Sequence, residues 1–193
     1  MIVLVGRSGS GKTYIAKQLV DKHGFEKVVT YTTRPKRKNE INNIDYNFVN
    51  NENFDILEKM VWFYETQEYK TVDGIYKYGT SIKSILDAPD KSVIILSPDG
   101  VKQITKYGVN NIFKDIDFRV IYLACNTFTS FMRQKDRGNI KETLRRIHAD
   151  CKDFRRFIND IKQTHINYLV IKNNFNDGAE TILDEIIKFY NES

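Results

Sequence analysis

The apolar run Ile2-Val3-Leu4-Val5 leads into a polar, glycine-rich stretch, and apolar residues return at Tyr14-Ile15-Ala16 and Leu19-Val20 with the spacing of a helix face. Runs of this kind, rich in Val and Ile and without strict alternation, recur at 27–31, 92–96, 118–124 and 168–171. Unalternating runs suit strands covered on both faces, and helical stretches separate them, so the pattern predicts an α/β fold with a parallel sheet and helices on both sides. Two regions break the rhythm. Between about 32 and 80 the chain is rich in Tyr, Asn, Lys and Thr, and short alternating pieces such as Tyr46-Asn47-Phe48-Val49 and Val61-Trp62-Phe63-Tyr64 predict a small β-rich insertion. From about 127 to 147 the chain reads as two helices joined by a basic turn at Gly138-Asn139. The second is expected to be the longest helix, with Ile140, Leu144, Ile147, Cys151, Phe154, Ile158 and Ile161 on one buried face.

The stretch between the first strand and the first helix reads Gly6-Arg7-Ser8-Gly9-Ser10-Gly11-Lys12-Thr13, a complete G-x-x-x-x-G-K-[ST] phosphate-binding loop. Its glycines let the backbone wrap a polyphosphate, so that amides and the helix N-terminus point at the anion. Lys12 is then placed to neutralise the β- and γ-phosphates, and the Thr13 hydroxyl to meet Mg²⁺, mostly held through nucleotide and water.

Composition narrows the partners. The chain has 193 residues, 41% of them hydrophobic, and a formal net charge of +5 without a basic tail. That balance suits small polyanions, and the aromatics sit in apolar runs, which argues against nucleic-acid binding. No apolar run approaches the ~20 residues of a membrane span, and the first strand begins almost at the N-terminus, so the expectation is a soluble cytoplasmic protein. Cys125 and Cys151 read as small buried apolar residues. His23, His148 and His165 lack partners at metal-ligand spacing.

A second constellation follows the second strand: Thr30-Tyr31-Thr32-Thr33-Arg34-Pro35-Lys36-Arg37-Lys38-Asn39-Glu40, then Asp45-Tyr46-Asn47-Phe48-Val49. Arginines three apart beside hydroxyls and a tyrosine can hold a phosphate monoester in forked, charge-assisted hydrogen bonds. With Tyr78-Gly79-Thr80 further on, this block resembles the guanylate kinase pattern S-x-T-T-R-x-x-R-x-x-E-x-x-G-x-D-Y-x-F-V and its later Y-G-[ST] element. The likeness runs over nearly the whole chain.

The resemblance implies a P-loop core at 1–31 and 81–193 containing a helical lid at about 127–147, and a GMP-binding insertion at 32–80. It implies transfer of the γ-phosphate of ATP to GMP, or to dGMP, with Mg²⁺ and no protein partner. The donor nucleotide falls to Gly6 through Thr13 and to Asn173, and the acceptor phosphate to Arg34, Arg37, Tyr46 and Tyr78. Thr30, Thr80 and Glu65 are assigned to the base, with Glu68 competing for the role of Glu65. Arg133, Arg137 and Arg146 match lid arginines that join Lys12 and Arg34 in catalysis. Two departures stand out. Ser97 takes a place where the family carries a D-x-D carboxylate, with Asp99 nearby, and Asn43 replaces a glycine, which an Asn tolerates in the left-handed region. The missing carboxylates leave room for a related kinase acting on another nucleotide or a phosphosugar. A protein-binding module of guanylate-kinase type is the other alternative, and the intact Lys12-Thr13 argues against it.

Overall fold

The computed structural model describes residues 1–107, 112–135, 140–174 and 177–192, with the backbone alone at 105–107. Along the chain run β1 (Ile2–Val5), α1 (Lys12–His23), β2 (Glu26–Lys27), β3 (Tyr31–Thr32), β4 (Asn47–Phe48), α2 (Asn51–Lys59), β5 (Phe63–Thr71), β6 (Gly74–Ser81) and α3 (Ile82–Leu86). There follow β7 (Ser92–Ile95), α4 (Pro98–Tyr107), β8 (Arg119–Ala124), α5 (Thr127–Lys135), α6 (Ile140–Asp153), α7 (Phe157–Lys162), β9 (Asn167–Lys172) and α8 (Ala179–Asn191). These elements fall into two units, residues 1–26 with 90–193, and residues 27–89.

The first unit is built on a five-stranded sheet in the order β2-β7-β1-β8-β9. β1 runs parallel to β7 and β8, and β8 parallel to β9, with Leu4 opposite Ile95 and Ile121. All of β1 is buried, as an unalternating apolar run in a central strand should be, whereas the edge strand β9 exposes Asn167, Val170 and Lys172. Ile2, Leu4, Val93, Ile121 and Leu123 pack against Ile15 and Leu19 of α1 and Ile182, Leu183 and Ile186 of α8. Each such buried side chain contributes about 1.5–3 kcal/mol. Gly24 ends α1 in the left-handed conformation at φ 66°, its N–H bonded to the Leu19 carbonyl.

The second unit is a four-stranded sheet in the order β4-β3-β6-β5. β5 and β6 form an antiparallel hairpin with a bulge between Phe63 and Glu65, and β3 joins β6 antiparallel and β4 parallel. Asn50 caps α2 by accepting the Asn53 N–H, and Phe54 of α2 stacks on Phe63 with centroids 4.6 Å apart.

Several expectations need correction. The strand expected over 27–31 is two short strands in different sheets, β2 and β3, with Thr30 between them. The long helix breaks at 154–156 into α6 and α7. Its apolar stripe is therefore not continuous: Ile140, Leu144 and Cys151 are exposed, Ile147 and Ile158 are half-buried, only Phe154 and Ile161 of the expected face are buried, and Glu142, Thr143 and Phe157, which lie off it, are buried as well. Phe154 and Phe157 pack on Tyr122 of β8, and that aromatic contact sets the new phase. Tyr14 is exposed beside buried Ile15 and Ala16, and Cys151 is exposed while Cys125 is buried. Asn43 does adopt the left-handed region, at φ 64°.

Candidate active site

In the first unit the loop Gly6–Thr13 joins the end of β1 to α1. Gly9 and Gly11 have φ of +77° and +92°, conformations in which an L side chain is strained. Space forbids a side chain as well. A Cβ on Gly6 would lie 2.5 Å from the Leu123 carbonyl oxygen, and one on Gly11 2.6 Å from Asn173 Nδ2. Lys12 folds back, its Nζ donating to the carbonyls of Gly6 (2.5 Å) and Arg7 (2.9 Å). Thr13 is exposed in the first turn of α1. Ser10 Oγ and Arg7 Nε are buried without a hydrogen-bond partner. A bound polyphosphate is the chemistry that such a cradle and such orphaned donors fit.

The carbonyl side of the loop is tied down by α5 and by the end of β9. Ser130 Oγ (2.7 Å) and Gln134 Nε2 (3.2 Å) donate to the Ser8 carbonyl. Arg133 donates to the carbonyls of Gly9 (3.2 Å), Asn173 (3.1 Å) and Asn174 (3.1 Å) and to Asn173 Oδ1 (3.1 Å). Asn173, buried, passes its own Nδ2 to the Ser10 carbonyl at 2.9 Å. Arg133 and Asn173 thus stand beneath the loop and brace it. Arg146 on α6 donates to Glu142 Oε1 at 2.7 Å, and Arg145 donates to both oxygens of the same carboxylate. Hydrogen bonds from Arg145 and then, against the opposing effect of burial, from Arg146 hold the Glu142 carboxyl at about 2. Ser97 accepts the Gly100 N–H at 2.9 Å, at the start of α4, while Asp99 is exposed in that helix's first turn. Arg137 lies outside the described residues.

In the second unit Arg34 is the centre. It is 9% exposed, and donates to Glu40 Oε1 at 2.7 Å and to the Pro35 carbonyl at 2.8 Å. Its guanidinium lies 5.6 Å from the Tyr46 ring centroid and 5.7 Å from that of Phe48. Burial opposes the Arg34 charge, yet bonds with Glu40 and Tyr78 raise its pKa above the usual value. Tyr46 and Tyr78 meet edge to face at 6.0 Å, and burial pushes the Tyr46 hydroxyl up. Arg37 is exposed, and its N–H donates to Glu40 Oε2 at 2.8 Å. Thr32 and Thr33 hold β3 to Lys77 of β6: Thr32 Oγ1 donates to the Lys77 carbonyl, and Thr33 Oγ1 accepts its N–H. The Thr30 carbonyl accepts the Asn47 N–H at 2.8 Å.

Glu65 and Glu68 are separated by the pleat. Glu65 is buried opposite Thr80, whose hydroxyl donates to it at 3.3 Å, whereas Glu68 is exposed opposite Lys77. Sequence reasoning missed Glu40, Glu142, Gln134 and Asp150, and also Lys27, whose Nζ donates to the Asp45 carbonyl at 2.7 Å and lies 5.5 Å from the Tyr46 centroid. Glu40, at the end of the arginine block, was the one legible from spacing. Among the described residues no group of three or more His, Cys, Asp or Glu could hold a metal ion, and no helix is long and apolar enough to cross a membrane.

A parallel sheet with a glycine loop at the end of its central strand, carrying Lys and Thr at a helix start, defines the P-loop class of nucleotide-binding proteins. The guanylate kinase family model matches residues 1–190. The chain is 33% identical over 150 residues to a guanylate kinase of Schizosaccharomyces pombe, covering 74% of this chain and 68% of that protein. It is 29% identical over 198 residues to a guanylate kinase of Sulfurimonas denitrificans, covering 94% and 84%. Its fold is similar to the crystal structure of guanylate kinase from Anaplasma phagocytophilum, with a TM-score of 0.64 at 22% identity, over 98% of this chain and 83% of that one. The chain belongs to the guanylate kinase family, a family of ATP-dependent nucleoside monophosphate kinases.

Proposed function

We propose that this chain transfers the γ-phosphoryl group of ATP to GMP, giving ADP and GDP, and that it does so in the cytoplasm, where both nucleotides are found. The observation that carries this reading is the pairing of two different phosphate cradles in one chain: the glycine loop with Lys12, and Arg34 held by Glu40 beside Tyr46 and Tyr78. Lys12 exchanges its carbonyl partners for the β- and γ-phosphates, and the loop amides take the remaining oxygens. Arg34 and Arg37, with Tyr46 and Tyr78, hold the acceptor phosphate by forked contacts. The lid arginines Arg137 and Arg146 offset charge on the moving group, Arg146 leaving Glu142 to do so, and an arginine in that role is worth ~10³–10⁵ in rate. Arg133 and Asn173 act from below by fixing the loop. No covalent intermediate is needed, because positioning and charge stabilisation supply the catalysis.

Thr13, exposed in the first turn of α1, carries a hydroxyl that fits Mg²⁺, which would take most of its ligands from nucleotide and water. When bound, the ion would supply positive charge against the polyphosphate.

Base choice falls to Glu65 with Thr80 and Thr30. A buried carboxylate accepts from the N1–H and 2-amino group of guanine, whereas adenine offers a bare N1 and a C2–H at those positions. Mismatches of this kind discriminate by ~10⁴ or more. The test is a screen of GMP, dGMP, AMP, UMP, dTMP and ribose phosphates with ATP and Mg²⁺, on wild type and on Glu65→Gln and Glu68→Gln. GMP is expected as the preferred acceptor, with preference lost in Glu65→Gln and kept in Glu68→Gln. Equal rates with GMP and AMP in wild type would overturn the reading.

A further inference from the structure

The glycine loop carries one interaction that the phosphate-binding reading does not use. Asp150 of α6 accepts the Ser8 N–H at 2.8 Å through Oδ2, and the Ser8 hydroxyl also bonds to it. Ser8 is thereby gripped at both ends, its carbonyl by Ser130 and Gln134 and its amide by a carboxylate. A carboxylate is an odd choice for this place. The loop collects positive potential from Lys12, Arg7 and the start of α1, and a resident negative charge cancels part of it.

We infer that Asp150 sets the affinity of the donor site: its carboxylate competes electrostatically with the triphosphate for the field of Lys12 and Arg7, while its bond to Ser8 keeps the loop in shape. This rests on the reading of the loop as the ATP site. The charged and titratable groups facing Asp150 can be named element by element. Arg7 and Lys12 come from the loop, Arg145 and Asp153 from its own helix, Tyr122 from β8, and Cys125 from the residue after that strand. Burial raises the Asp150 carboxyl, against the pull of the Ser8 bonds, Lys12 and Arg7. Bringing a polyanion beside it must raise it further, so ATP binding and protonation of Asp150 help one another. The two effects of the side chain separate on substitution. Asn keeps an oxygen for the Ser8 N–H and removes the charge, whereas Ala removes both.

The experiment measures ATP binding by calorimetry with a chelator present, on wild type, Asp150→Asn and Asp150→Ala, from near pH 5 to near pH 8. Asp150→Asn is expected to bind ATP about tenfold more tightly than wild type near pH 8, with the gap narrowing as pH falls, and Asp150→Ala to bind less tightly than Asp150→Asn. Unchanged or weaker binding in a folded Asp150→Asn overturns the inference. A second measurement needs no variant. Carboxyl-carbon NMR of wild type should show the Asp150 pKa rising when ATP is added, and a pKa that stays put would also overturn it. If ATP fails to bind wild type at all, it is the assignment of the donor site that falls.

Discussion

The glycine loop of the first unit and the arginine cluster of the second are made of different materials. The loop is backbone: three glycines, carbonyls drawn down by Ser130, Gln134 and Arg133, and a single lysine. The cluster is side chain: Arg34 and Glu40 with rings from Tyr46, Phe48 and Tyr78. A backbone cradle tolerates almost no added atom, and it leaves the ligand's charge to only two side chains, Lys12 and Arg7. A side-chain cradle spreads charge and shape over several residues, so each change removes part of its grip.

The largest effect expected from this contrast is at Lys12. Lys12→Ala should lower turnover by ~10³-fold or more with the far-UV circular dichroism unchanged, and turnover near wild type would break the division of labour outright. Next comes Arg34→Lys, which keeps the charge and loses the fork. The KM for GMP should rise by ~10²-fold while the KM for ATP holds, and an equal rise in both would show that the cluster does not serve the acceptor alone.

The smallest effect concerns the ion network of Glu142 with Arg145 and Arg146 in the first unit. The Glu142 carboxyl stands at about 2 against an ordinary 4.5, so its stabilisation is fully present above 4.5 and is lost as pH falls through 2. Because both guanidiniums are about a third exposed, the network is worth about 1–2 kcal/mol after solvent screening. Glu142→Gln should therefore lower the denaturation midpoint at neutral pH and converge with wild type in strong acid. A gap that persists below pH 2 would mean that packing, not charge, is lost.

Sequence spacing located the glycine turn well. The left-handed conformations of Gly9 and Gly11 and the helix start at Lys12 are local, and local geometry is what a motif records, whereas the struts that brace the loop come from far along the chain. The parallel sheet was legible for a similar reason, since covered strands such as β1 and β8 cannot alternate. What stayed hidden depends on distant partners. Nothing local tells that Lys27 reaches the Tyr46 ring, or that Asp150 meets Ser8, 142 residues away. The 3.6-residue pattern failed beyond Ile140 because aromatic packing of Phe154 and Phe157 on Tyr122, and the ion network at Glu142, outweighed the preference of Leu144 for the interior. Glu65 and Glu68 became distinguishable only once the hairpin register set them on opposite faces.

The bracing of the loop by Arg133 and Asn173 bears on how the chain is assembled during synthesis. The Gly9 carbonyl is tethered by Arg133 and the Ser10 carbonyl by Asn173, 124 and 163 residues further along the chain. A nascent chain that stops short of Asn173 has the glycines without all the struts that shape them. The braced shape of the loop is consequently a late acquisition, and a truncation ahead of Asn173 would leave the motif spelled out but slack.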